Sequence, residues 1–93
     1  MKYDELAAQF AELSRRIQEA QATYDWETGN QLHATRYEVF KQIIEQGEEA
    51  REALFSLTRH ENPHVAGDAA FFSLKYKPEE CCQVLEGLSK LPG

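Results

Sequence analysis

Tyr3-Asp4-Glu5-Leu6-Ala7-Ala8-Gln9-Phe10-Ala11-Glu12-Leu13-Ser14-Arg15-Arg16-Ile17 is the stretch that decides the fold class. Its apolar members Tyr3, Leu6, Phe10, Leu13 and Ile17 are separated by steps of three and four, and the alternation runs on to Ala20 and Tyr24. Such steps place side chains on one stripe of a helix with about 3.6 residues per turn. Glu12, Arg15, Arg16 and Glu19 fall off the stripe, where opposite charges three or four apart support the helix. Asp4 and Glu5 sit where the positive end of the helix dipole favours acids. A helix of about three heptads is predicted over 3–23.

Working outward, Asp25 to Asn30 breaks this pattern and starts another. Thr28 with Gln31 forms a candidate capping box, and Asp25 is the alternative cap for an earlier start. One stripe then carries Leu32, Val39 and Ile43; a second carries Trp26, His33, Tyr37, Phe40 and Ile44. So wide an apolar arc is expected of a central helix packed on two sides, over 26–46, with Gly47 as its left-handed stop. A third helix, 48–59, turns Ala50, Ala53, Leu54 and Leu57 inward. Asn62 as cap and Pro63 as first residue begin a fourth, 62–76, because the residue before a proline is pushed out of helical geometry. Its inward face is Val65, Ala69, Ala70 or Phe72, Leu74 and Tyr76. Pro78 opens a fifth, 78–91, with Cys81, Val84, Leu85, Leu88 and Leu91 facing in, and Pro92-Gly93 cannot continue it. No convincing two-residue alternation calls for a strand. The expectation is a single all-α domain, 1–93, of about five helices in antiparallel hairpins.

His60-Glu61-Asn62-Pro63-His64-Val65, Ala69-Ala70, Leu74, Pro78 and the Val84-Leu85-Leu88 face together resemble a HEAT-type helical hairpin. That resemblance implies a HEAT-like α-α superhelix. The chain departs from the pattern at Ala66, where an arginine usually follows the valine, and so loses that residue's polar contact along the ladder between repeats. Over residues 3 to 90 the chain also looks like a family of small bacterial proteins described as a domain of unknown function. The matching positions are Leu6, Phe10, Asn30, Leu32, Gly47, Ala53, Leu54, Val65, Ala69, Ala70 and Leu74. Relatives carry further helix beyond the point where this chain stops, so the resemblance implies an uncapped face on helices four and five.

Composition narrows the function. Ninety-three residues suit one core, and five phenylalanines, four tyrosines and a tryptophan are too many for a disordered polar chain. Nothing approaches the ~18 consecutive apolar residues of a membrane span, and the charged start is unlike a secretion signal. Sixteen acids against ten bases, net charge −6, disfavour nucleic acid as a partner. Arg15-Arg16 is the only basic pair and reads as a solvated face. Cys81 and Cys82 are adjacent, which does not suit an ordinary disulfide; together with the missing secretion signal they fit a cytoplasmic protein.

His60-Glu61-Asn62-Pro63-His64 matches the H-E-x-x-H pattern of zinc proteases letter for letter. That chemistry needs both histidines one turn apart on one helix, and Pro63 inside the motif opposes a continuous helix. His60, His64 and Asp68 could together hold a surface zinc or nickel ion, although an exposed polar turn is the favoured reading and no metal or cofactor is expected. Cys81 reads as a small core residue, Cys82 as the more reactive thiol, and His33 as a partly buried histidine bonded to a neighbouring helix. The five glycines form no phosphate loop.

With no catalytic set in view, the expected function is non-catalytic protein–protein interaction. A concrete version is an immunity or antitoxin-like protein whose acidic surface masks a basic toxin. Asp4, Glu5, Glu48, Glu49, Glu79 and Glu80 are accounted for by predicted first turns, leaving Glu38, Glu45, Glu52, Glu61 and Asp68 for a steering surface. The partner-binding residues expected are Arg59, His60, Glu61, His64 and Asp68, at an exposed turn and helix start. Two alternatives stay open. One is a self-associating module packed through Cys82, Leu85 and Leu91; the other is a small metal- or thiol-dependent enzyme using His60, His64, Asp68 or Cys82.

Overall fold

The structure, a computed structural model, describes residues 2–90, with side chains from Asp4 onward. The side chain of Tyr3, together with Leu91 and the Pro92-Gly93 stop, lies outside the described residues. Five α-helices follow one another: α1 (Lys2–Ala22), α2 (Trp26–Gln46), α3 (Glu48–Ser56), α4 (Pro63–Ser73) and α5 (Pro78–Ser89), with a 3-10 turn at Leu57–Arg59. Among the described residues there is no strand, and no helix is long and apolar enough to cross a membrane.

The α1 stripe does what its spacing requires: Leu6, Phe10, Ile17 and Ala20 are buried and Leu13 is half-buried. Phe10 stands at the centre of a core with Leu6, Val39, Ile43, Ala50, Leu54 and Ala69, flanked by Leu13, Phe40, Leu57 and Phe72. Full burial of each large side chain contributes on the order of 1.5–3 kcal/mol. The central helix is α1, which packs against α2, α3 and α4. The expectation of a central second helix is corrected here: Trp26, His33 and Tyr37 of its second stripe are exposed, while Phe40 and Ile44 are half-buried.

Caps set the boundaries. Asp25, not the Thr28–Gln31 box, starts α2: its carboxylate accepts from the Thr28 amide at 3.2 Å. Gly47 ends α2 and opens α3 with φ 97°, a geometry that a Cβ would strain, and its amide donates to the Ile44 carbonyl. The predicted third helix, 48–59, is α-helical only to Ser56; its last turn tightens to 3-10 bonding as the chain swings toward Asn62-Pro63. Asn62 caps α4 by accepting from the His64 amide at 2.9 Å, and Pro63 is its first residue. The fourth helix ends at Ser73, short of 76, because Pro78 forces Lys77 out of helical geometry (φ −140°). Tyr76, expected inside, lies outside with Arg51 over its ring at 4.8 Å. Tyr24 also leaves its predicted stripe. It follows the end of α1 with φ 58° and is 75% exposed.

Candidate functional site

Among the described residues Arg36 is the one buried charged side chain, and its contacts tie α2 to α1 and α4. It projects from α2 between Val39 and the start of the helix, into the space where α1 and α4 approach. Its Nη1 donates to the fully buried Ser14 hydroxyl at 3.1 Å and to Asp68 Oδ2 at 2.7 Å. Its Nη2 donates to His33 Nδ1 at 3.2 Å. The guanidinium lies 5.0 Å from the Phe72 ring centre and 5.6 Å from that of Phe10, so π-faces take up the flat sides that polar groups leave. Its Nε is buried without a hydrogen-bond partner among the described residues.

A second histidine closes the cluster. His64 Nε2 stands 3.3 Å from Asp68 Oδ2, close enough for ionic attraction but not aligned as a hydrogen bond. Partial desolvation of its otherwise exposed ring, then the adjacent guanidinium, hold His33 below its ordinary pKa, so its neutral ring presents Nδ1 as the acceptor. His64 and Asp68 reach one another across a single turn of α4 because four residues separate them.

Above this base runs a row of aromatic rings. Phe10 and Phe72 meet edge to face at 5.2 Å, and Phe72 meets Phe40 at 4.9 Å. The row extends outward to Phe71 on α4, 6.0 Å from Phe72, and to Tyr37 on α2, 6.4 Å from Phe40. Phe71 is 66% exposed and Tyr37 is 53% exposed. The face between α2 and α4 thus presents apolar rings whose inner members are fixed in the core.

The five residues expected to bind a partner are divided by the fold. His64 and Asp68 join the Arg36 cluster, while Arg59, His60 and Glu61 are exposed on the connection into α4. The assignment of Asp68 to a free negative surface is corrected: its charge is spent on Arg36. His60 has extended geometry, so the H-E-x-x-H letters do not share a helix; its Nδ1 accepts from the Asn62 amide at 3.0 Å. It borders a cavity of about 380 Å³ floored by Ala8, Ala11, Leu57 and Val65. No three His, Cys, Asp or Glu side chains among the described residues converge as a metal site. Cys81 is buried, its thiol pushed up by desolvation, and Cys82 is exposed.

Ser14, Arg36, Phe71 and Tyr37 escaped notice as site residues. A signal for Arg36 was present: Leu32, Val39 and Ile43 leave a gap in their stripe, and Arg36 fills it. Ser14 likewise falls between Phe10 and Ile17 on α1. Polar residues in the apolar stripes of neighbouring helices mark groups that must satisfy one another.

Neither the curated proteins nor the solved structures yield a match to this sequence. One family model, a domain of unknown function (DUF2019), matches residues 4–91, which is nearly the whole chain. The five-helix chain with Arg36 at its centre belongs to the DUF2019 family.

Proposed function

We propose that this chain is a non-catalytic protein-interaction module whose binding face is the aromatic row between α2 and α4. The observation that carries this reading is Phe71, largely exposed yet continuous through Phe72 and Phe40 with Tyr37 and the core. A lone exposed ring is ordinary on a protein surface; a contiguous row anchored from below is the composition of an interface centre. Holding the inner rings against Arg36 lowers the entropy lost when a partner docks. His64 and Asp68 border the face, and Arg59, His60 and Glu61 remain the proposed contacts at the connection into α4.

The chemistry of the Arg36 cluster favours positioning over turnover. Ser14 is fully buried with its oxygen accepting from Arg36, so it is not an accessible hydroxyl for the Asp68–His64 contact to activate. The net charge of −6 makes a basic protein the favoured partner, and an immunity or antitoxin-like role is the specific form of this proposal. Capture from the native cell with wild type beside Phe71→Ser tests it. A basic protein retained in stoichiometric amount by wild type alone supports the reading; equal retention by both chains contradicts it. Light scattering on the isolated chain separates the self-associating alternative, packed through Cys82, Leu85 and Leu91, which requires a dimer that Leu85→Ser dissolves and Phe71→Ser leaves intact.

A further inference from the structure

We propose that Tyr24 and Trp26, at the turn between α1 and α2, form a receptor for a cationic side chain, arginine before lysine, on a basic protein segment. The site is separate from the α2–α4 face, since Trp26 and Tyr37 lie about 16 Å apart along α2. Its success or failure is independent of that reading.

The backbone supplies the first argument. Among the described residues Tyr24 is the one non-glycine with positive φ, at 58°, in a region where a bulky side chain is strained and glycine is at ease. The fold would lose nothing by placing glycine there, because the tyrosine ring is 75% exposed. The turn is over-determined by its own bonds: the Asp25 amide donates to the Ala20 carbonyl at 2.9 Å, and the Trp26 amide to the Tyr24 carbonyl at 3.1 Å. Strain kept at an exposed aromatic side chain points to a use for that side chain.

The rings supply the second. Tyr24 and Trp26 meet at 6.0 Å with their planes 68° apart, making an open corner, and the indole is 61% exposed. The face of an indole is the best side-chain surface for a cation, and a planar guanidinium can stack on it while forking to a carboxylate.

Charge supplies the third. Residues 17–35 hold Glu19, Asp25 and Glu27 and no lysine or arginine. The bases that flank this stretch are engaged elsewhere: Arg15 and Arg16 with Glu12 and Glu19 on α1 at 2.7–3.3 Å, and Arg36 with Asp68 at 2.7 Å. Asp25 has one oxygen committed to the α2 cap, whereas Glu27 is exposed and makes no ion pair among the described residues. The corner therefore presents an exposed π-face next in sequence to Glu27, an exposed carboxylate without an ion pair among the described residues.

Trp26 is the only tryptophan of the chain, so its indole N–H is an unambiguous reporter in a proton–nitrogen NMR spectrum. The probe is the peptide acetyl-Gly-Arg-Gly-Arg-Gly-amide at millimolar concentration, with the same peptide carrying citrulline, its neutral near-isostere, as control. Saturable movement of the indole signal with the arginine peptide and none with citrulline is expected. Tyr24→Gly and Glu27→Gln should each weaken binding by about tenfold. Because Tyr24→Gly relieves the backbone, its unfolding midpoint should equal or exceed that of wild type, which separates lost recognition from lost fold. Absence of a saturable shift, an equal response to citrulline, or undiminished binding by Tyr24→Gly each overturns the assignment.

Discussion

A guanidinium as buried as that of Arg36 is tolerated only while its partners stay in place. Asp68 supplies the counter-charge, Ser14 and His33 take further N–H groups, and Phe10 and Phe72 cover the flat faces. Removing one member of such a pair strands the other, so Asp68→Ala should lower stability by about 3 kcal/mol in urea unfolding. Replacing both, as in Arg36→Met with Asp68→Leu, should recover most of that loss. His33 adds a pH dependence that runs in one direction. Its native pKa lies below the ordinary 6.5, so the native chain binds fewer protons than the unfolded one. Its stabilisation is complete above pH 6.5 and is lost as the pH falls from there through the lowered native value. The groups facing it are Arg36, Asp68 and His64. Unfolding followed from pH 7.5 down to 5 should show this decline, and His33→Gln, which keeps an acceptor but cannot charge, should flatten it.

At the scale of the helices, turns and caps decide where elements begin and end. Gly47, at φ 97°, should not accept a side chain: Gly47→Ala is expected to lose about 1–2 kcal/mol in thermal unfolding. Tyr24→Gly is the converse and should gain about 1 kcal/mol. The helices were legible because their signals are local: the α1 stripe, the Asn62-Pro63 and Pro78 starts, the glycine stop, and acids in the first turns of α1, α3 and α5. Tyr24 defied the pattern because a stripe continues on paper past the residue where the backbone turns. The second stripe of α2 misled for a different reason. Helical spacing tells which residues share a face but not whether another helix covers it, and Tyr37 and Trp26 stay exposed at 53% and 61%. The candidate site was least legible, since a charged residue in a helix reads as solvated until its counter-charge, thirty-two positions along the chain, is brought beside it.

Across the whole molecule the acidic excess and the aromatic face have separate origins. Six acids sit in the first turns of α1, α3 and α5, where they stabilise the helix dipole locally. Asp68 is neutralised internally by Arg36. Under the proposed function, the remaining carboxylates set the long-range field for a basic partner, and the row from Tyr37 to Phe71 is its proposed contact area. Raising salt should therefore slow association more than it speeds dissociation, a split that stopped-flow kinetics would resolve. The most direct measurement is the Kd of the captured partner for Phe71→Ser beside wild type, at matched unfolding midpoints. The account predicts stability within about 0.5 kcal/mol of wild type and an affinity weaker by tenfold or more, on the order of 1.4 kcal/mol. An unchanged Kd would contradict it and return the aromatic row to mere surface.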